Sequence, residues 1–299
     1  MPIHEIAALA AALSWALTGI ISTTPSRALG AMGFVRLRMA LVFVMLALAA
    51  TLLGGWGTLT VDMAWPILAS GFIGIFVGDT ALFATMNRMG PRAAGLLFAT
   101  NAPLAAVLGW LVLGETLGGA ALVGIGLAFA GVALAVLHGR PRDAADGNWL
   151  ERVEGPLAVG VALGFVAALG QAVGTLLARP VMVAGADPVA VSALRVGIAA
   201  LALQALAMAG WRDARMKTAP TPGLLAATAA SGMLAMGIGM TLLLFALEGG
   251  KVGIVSTLSA TTPVMILPLL WRATGRRPPP AAWLGAALTV VGAALLFAR

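Results

Sequence analysis

The chain has 299 residues, 61% of them hydrophobic and only 10% charged, with a mean hydropathy of +1.01; this excludes a soluble domain, which is about a quarter charged, and makes the lipid bilayer its partner. Its net charge of +7 falls between apolar runs as a topology signal, which argues against a nucleic-acid partner. With no cysteine and two histidines near span ends, disulfides, thiol nucleophiles and a histidine metal cluster drop out, so no catalytic residue, metal or cofactor is expected.

A bilayer core about 30 Å thick takes about 20 apolar residues per helix. That ruler predicts an all-α protein with ten spans, at 3–23, 32–54, 64–86, 92–113, 118–138, 155–178, 187–210, 223–247, 252–271 and 280–298. The first span opens with "MPIHEIAALAAALSWALTGIIS", which lacks a positive leading region and reads as a retained helix rather than a signal peptide. About halfway along it stands Trp15, with Ser14 and Thr18 beside it; the ring suits either a cavity wall or an interface anchor. Arg36 and Arg38 follow in the second span and, with Glu115, Arg179 and Glu248, read as snorkelling or capping residues.

The third span contains "ASGFIGIFVGDT" at 69–80. A carboxylate inside a span costs a few kcal/mol, so Asp79 points either to function or to a buried partner. Phe83 and Asn87 follow at spacings of four, on the same helix face. The fourth span holds Asn101-Ala102-Pro103, where proline frees a backbone carbonyl and bends the helix. Gly74-x-x-x-Gly78, Gly160-x-x-x-Gly164 and Gly170-x-x-x-Gly174 have the spacing by which membrane helices approach closely, although glycine-rich chains also produce it by chance.

The polar stretch 138–155 divides the chain into a first five-helix repeat (1–138), a linker (139–154) and a second five-helix repeat (155–299). In the sixth span "AALGQA" (167–172) lies on "AALSWA" (11–16), which sets Gln171 against Trp15, with Thr175 one turn on. Arg195 of the seventh span lies on Arg38. "ASGMLAMGIGMT" (230–241) lies on the third-span motif but puts Met240 where that motif has Asp79. The ninth span carries Ser256 and Ser259, then Thr261-Thr262-Pro263, the counterpart of Asn101-Ala102-Pro103; Pro103 and Pro263 are the candidate hinges. All the matches fall near one offset of about 160 residues. Five spans per half is odd, so the copies are inverted, as in many secondary transporters.

"LGWLVLGETLGGAALVGIGLAFAGVAL" (108–134), with the weaker copy "TTPVMILPLLWRATGRRPPPAAWLGAALTVVGAALL" (261–296), resembles the drug/metabolite transporter superfamily in its ten-helix, two-EamA-repeat form. The second copy departs from the Gly114-Glu115 element, with Thr274-Gly275-Arg276 in its place. Within the superfamily the chain is most similar to bacterial amino-acid exporters of the YddG type. The resemblance implies a central substrate cavity lined by spans 1, 3, 4, 6, 8 and 9, with spans 5 and 10 at the periphery.

The substrate-binding candidates are therefore Ser14, Trp15, Thr18, Asp79, Phe83, Asn101, Gln171, Thr175, Ser256 and Ser259. The expected function is export of amino acids, aromatic and other small ones, or related metabolites by a monomer in a bacterial-type inner membrane. Transport proceeds by alternating access, coupled to protons or facilitative. A multidrug or organic-cation exporter is the alternative, with Asp79 as its cation site. An intramembrane enzyme is a distant third, since no HExxH or GxSxG occurs. Fourteen of the 18 Lys and Arg lie on the side opposite the termini, which by the positive-inside rule puts both termini outside, whereas the family picture puts them in the cytoplasm.

Overall fold

A computed structural model describes residues 3–113, 118–138, 154–240, 242–243, 246, 258–259 and 261–297. The linker 139–153 and the candidates Glu115, Glu248 and Ser256 lie outside them. Among the described residues the chain is helical and has no strand. The bilayer favours this, because helices satisfy their own backbone hydrogen bonds where no water is available.

The first half runs α1 (Ile3–Ile21), α2 (Thr23–Leu29), α3 (Ala31–Leu53), α4 (Ala64–Ser70), a π-helical segment (Gly71–Val77), α5 (Gly78–Phe98), α6 (Asn101–Leu113) and α7 (Gly119–His138). The second half has α8 (Leu157–Val183), α9 (Pro188–Met208), α10 (Pro222–Gly232), a second π-helical segment (Met233–Gly239), α11 (Thr262–Thr274) and α12 (Pro280–Phe297). Seven stretches are long and apolar enough to cross a membrane, and Asn101–Val112 and Pro280–Leu296 are shorter apolar helices. The chain is a multi-pass membrane protein. Its exposed large side chains agree: Leu52, Val61 and Met208 are each more than three-quarters exposed, as lipid-facing residues can be without cost.

The stretch Val61–Phe98 holds the predicted third span and the start of the fourth. They separate at Gly90, whose φ of 82° and ψ of 165° only glycine adopts readily, followed by Pro91 at the start of the next helical run. Gly30, with φ 79° and ψ 155°, makes the same kind of break between α2 and α3. The gap predicted between the first two spans, which holds most of "TTPS" (23–26), is not a loop. It lies in the short helix α2, with Thr23 Oγ1 donating to the Gly19 carbonyl at 2.9 Å.

One apolar core joins α3, α5 and α9 through Phe34, Met39, Val42, Phe83, Met86, Val196 and Leu203. A second joins the Pro91–Phe98 run to α11 and α12 through Leu96, Leu267 and Ala286. The predicted spans 5 and 10, α7 and α12, pack directly against each other along glycines. A Cβ added at Gly124 would stand 2.6 Å from the Gly292 carbonyl oxygen, and one at Gly131 2.5 Å from that of Gly285. Their outer faces, with Leu122, Leu137 and Leu284, stay exposed.

Candidate functional site

Asp79 begins the helix that follows the first π segment and is 8% exposed. Its Oδ2 accepts a hydrogen bond from Arg38 Nη1 at 3.1 Å, a buried ion pair between α5 and α3. The Arg38 guanidinium also lies 5.1 Å from the centre of the Phe83 ring, which meets Phe34 edge-on at 4.7 Å. The reading of Arg38 as a snorkelling or capping residue is thus corrected: it is 3% exposed and neutralises the one acidic side chain set well inside a predicted span. Each charge alone would cost several kcal/mol in this setting, and each offsets the other.

Arg195, the counterpart of Arg38 in the second repeat, acts electrostatically on the same carboxylate. A Cβ at Gly71 would stand 2.9 Å from the Arg195 Cα, and one at Gly74 3.3 Å from its Nη2, so the bare first π segment lets this arginine lie along it. The Nε atoms of Arg38 and Arg195 and the hydroxyl of Thr80 are buried without hydrogen-bond partners among the described residues.

Phe83 and Asn87 share the Asp79 face, as their spacing predicts, and that face is packed. Phe83 is 4% exposed. Asn87 is clamped to α2: Ser26 Oγ donates to its Oδ1 at 2.8 Å, and its Nδ2 donates to the Ser26 carbonyl at 3.0 Å.

The other candidates gather around backbone irregularities that recur in both halves. The π segments fall at equivalent places in the repeated motif, and such segments leave carbonyls without their usual helical donor. In the second half α1 supplies donors. Ser14 Oγ donates to the Leu234 carbonyl at 2.6 Å and Trp15 Nε1 to that of Ala235 at 3.1 Å. Thr18 is buried and donates back to the Ser14 carbonyl at 2.9 Å.

In the first half the positions of Ser14 and Trp15 are taken by Gly170 and Gln171. A Cβ at Gly170 would stand 3.0 Å from the Ile73 carbonyl oxygen, and one at Gly174 2.7 Å from the Gly74 Cα. Two of the three predicted glycine motifs thus interlock with each other, while Gly160 and Gly164 face Met89 and Leu97. Ser70 Oγ donates across this junction to the Gly174 carbonyl at 2.6 Å. Gln171 is half-buried; Thr175 is exposed and donates to the Gln171 carbonyl at 2.9 Å.

The predicted fourth span is interrupted before its proline, at Ala99–Thr100, and α6 starts at Asn101. A proline at 103 cannot donate to the carbonyl four residues earlier, so the irregularity falls on Ala99. Thr100 Oγ1 donates to the Leu97 carbonyl and Asn101 Nδ2 to the Phe98 carbonyl, both at 2.6 Å. The second half repeats this. Thr261 Oγ1 donates to the Leu258 carbonyl at 2.6 Å, and Thr262 Oγ1 to that of Ser259 at 3.1 Å, the carbonyl that Pro263 leaves free. Pro103 and Pro263 are both buried in the first turn after the interruption. Sequence reasoning missed Arg38, Arg195 and Ser70; the alignment of the two arginines was the available signal for the first two.

The profile of the EamA-like transporter family matches residues 3–137 and 158–298, one copy for each half. A solved crystal structure 19% identical in sequence, with a TM-score of 0.70, covers 98% of this chain and is itself covered over 95% of its length, a likeness of fold. No curated protein matches the chain. The chain belongs to the EamA-like transporter family, within the drug/metabolite transporter superfamily.

Proposed function

From that membership we propose that this protein is a secondary transporter that exports amino acids, aromatic and other small ones, or related metabolites by alternating access. Its ten spans form two inverted five-helix repeats around a central cavity, and it works as a monomer in a bacterial-type inner membrane, close in kind to the YddG-type exporters. The observation that carries this reading is the pair of interrupted helices: a π segment and a proline-linked break stand at corresponding places in both halves. Paired interruptions at repeat-related positions are the best pointer to a transport site.

Trp15, Gln171, Asn101 and Ser259 are half-buried beside these interruptions and line the path in this reading. Ser14 and Thr18 position the Trp15 segment. Asp79 and Phe83 act from behind through Arg38, and Thr175 extends the lining, while Ser256 is a candidate from the sequence alone. Because Arg38 already neutralises Asp79, an organic-cation site at that carboxylate would first have to break a buried ion pair. Amino-acid export is favoured over multidrug export on that ground.

The test is uptake of labelled amino acids, and of one organic cation, into proteoliposomes with and without an imposed pH gradient. Saturable amino-acid flux is the expected result, and its response to the gradient separates proton coupling from facilitation. Flux of the cation alone would replace this reading with the multidrug one.

A further inference from the structure

We propose that Arg195 is the anchor for the substrate's carboxylate, so that the transported class is small carboxylates and the α-carboxylate is the group held. The proposal rests on the transport reading and names the chemistry of its site.

The charges around Asp79 do not balance. Arg38 and Arg195 are repeat-related, but the carboxylate that faces Arg38 has no counterpart in the second repeat, where Met240 stands. Among the described residues one guanidinium is left over, and a cation in the hydrocarbon zone needs an anion or water. Exposure says which arginine is the free one. Arg38 is sealed at 3% exposed and bonded to Asp79. Arg195 is half-buried and makes no salt bridge among the described residues. A guanidinium with no carboxylate bonded to it would be costly against lipid, so in this proposal it faces an aqueous path.

Its surroundings fit an oxyanion. The side chain lies beside Gly74, where the absence of a Cβ makes room for Nη2. A planar guanidinium binds a carboxylate through two parallel hydrogen bonds, which an amide cannot reproduce. Asp79 remains close enough to influence Arg195 electrostatically and keeps the empty site from carrying two uncompensated positive charges.

The experiment measures ligand-induced shifts in thermal unfolding of the detergent-solubilised full chain, and flux in proteoliposomes. The probes are L-phenylalanine, 3-phenylpropionate, L-phenylalaninamide and phenethylamine. The two carboxylates are expected to bind, and the amide to bind at least about 10-fold more weakly, the loss that goes with a charge-assisted hydrogen bond. Arg195→Gln should remove the preference for acid over amide, and Arg195→Lys should keep part of it.

Because Arg195→Gln can fail to fold, Met240→Asp supplies a second variant. It sets a carboxylate at the repeat equivalent of Asp79 and, by pairing with Arg195, should abolish the acid preference; its unfolding transition shows that it folds. Equal binding of acid and amide by the unmodified chain overturns the proposal, as does a preference that survives Met240→Asp. If L-phenylalanine is carried but acid and amide bind equally, the anchor falls and the transport reading stands; if phenethylamine alone is carried, or nothing binds and nothing is carried, both fall.

Discussion

Two junctions that the repeat makes equivalent are built with different chemistry. Where α1 meets the second π segment, side chains reach across: Ser14 and Trp15 donate to the Leu234 and Ala235 carbonyls. Where α8 meets the first π segment, backbone lies on backbone, with Gly174 against Gly74 and Gly170 against the Ile73 carbonyl, and a donor, Ser70, comes from the other side. A side-chain bond can be lost and remade at a cost of about 1 kcal/mol. Glycine contact cannot change without moving a helix. The first junction tolerates rearrangement and the second resists it.

The substitution with the largest expected effect lies beside the rigid junction and has no counterpart in the other half. Asp79→Ala leaves Arg38 buried and unpaired and should cost about 3–5 kcal/mol, read as a large drop in unfolding temperature in detergent. Arg38→Met combined with Asp79→Leu should recover most of that loss; a double variant no better than the single would mean the pair's charges are not what matters.

Gly174→Ala tests the junction itself. Its new methyl would meet the Gly74 Cα at 2.7 Å, and overpacking of this kind costs about 1–3 kcal/mol. A neutral result in an unfolding titration would show that the two helices can part freely.

Trp15→Phe, on the adaptable side, removes one donor from the Ala235 carbonyl. The expected loss is about 0.6–1 kcal/mol, as for interhelical bonds in membranes. A loss matching that of Gly174→Ala would erase the proposed contrast. Last, Gly126→Ala should be neutral or stabilise by about 0.5 kcal/mol, since nothing lies within 4 Å of its Cβ position and glycine disfavours a helix interior.

Much of this frame could be read from residues alone. The predicted boundary between the third and fourth spans, 86 to 92, brackets Gly90-Pro91, where glycine and proline each restrict the backbone in a recognisable way. The aligned motifs located both π segments as repeated elements, though not as π helices, since apolar side chains carry no local signal for that hydrogen-bond pattern. The Arg38–Asp79 bond was not readable: its partners stand 41 residues apart, and a lone arginine in a span has the same sequence signature whether it snorkels or pairs. The interruption at Ala99–Thr100 was expected at Pro103, because a proline announces its own position and not that of the carbonyl it releases.

The glycine seam between α7 and α12 joins the last helix of one repeat to the last helix of the other. Along it almost any added atom meets backbone, so the seam can neither slide nor part without losing its contacts. In the proposed alternating access this line is the expected pivot, as a rivet is for a pair of scissors. Spin labels placed on the exposed sides of Leu122 and Leu284 should keep one separation through a transport cycle while labels elsewhere change theirs.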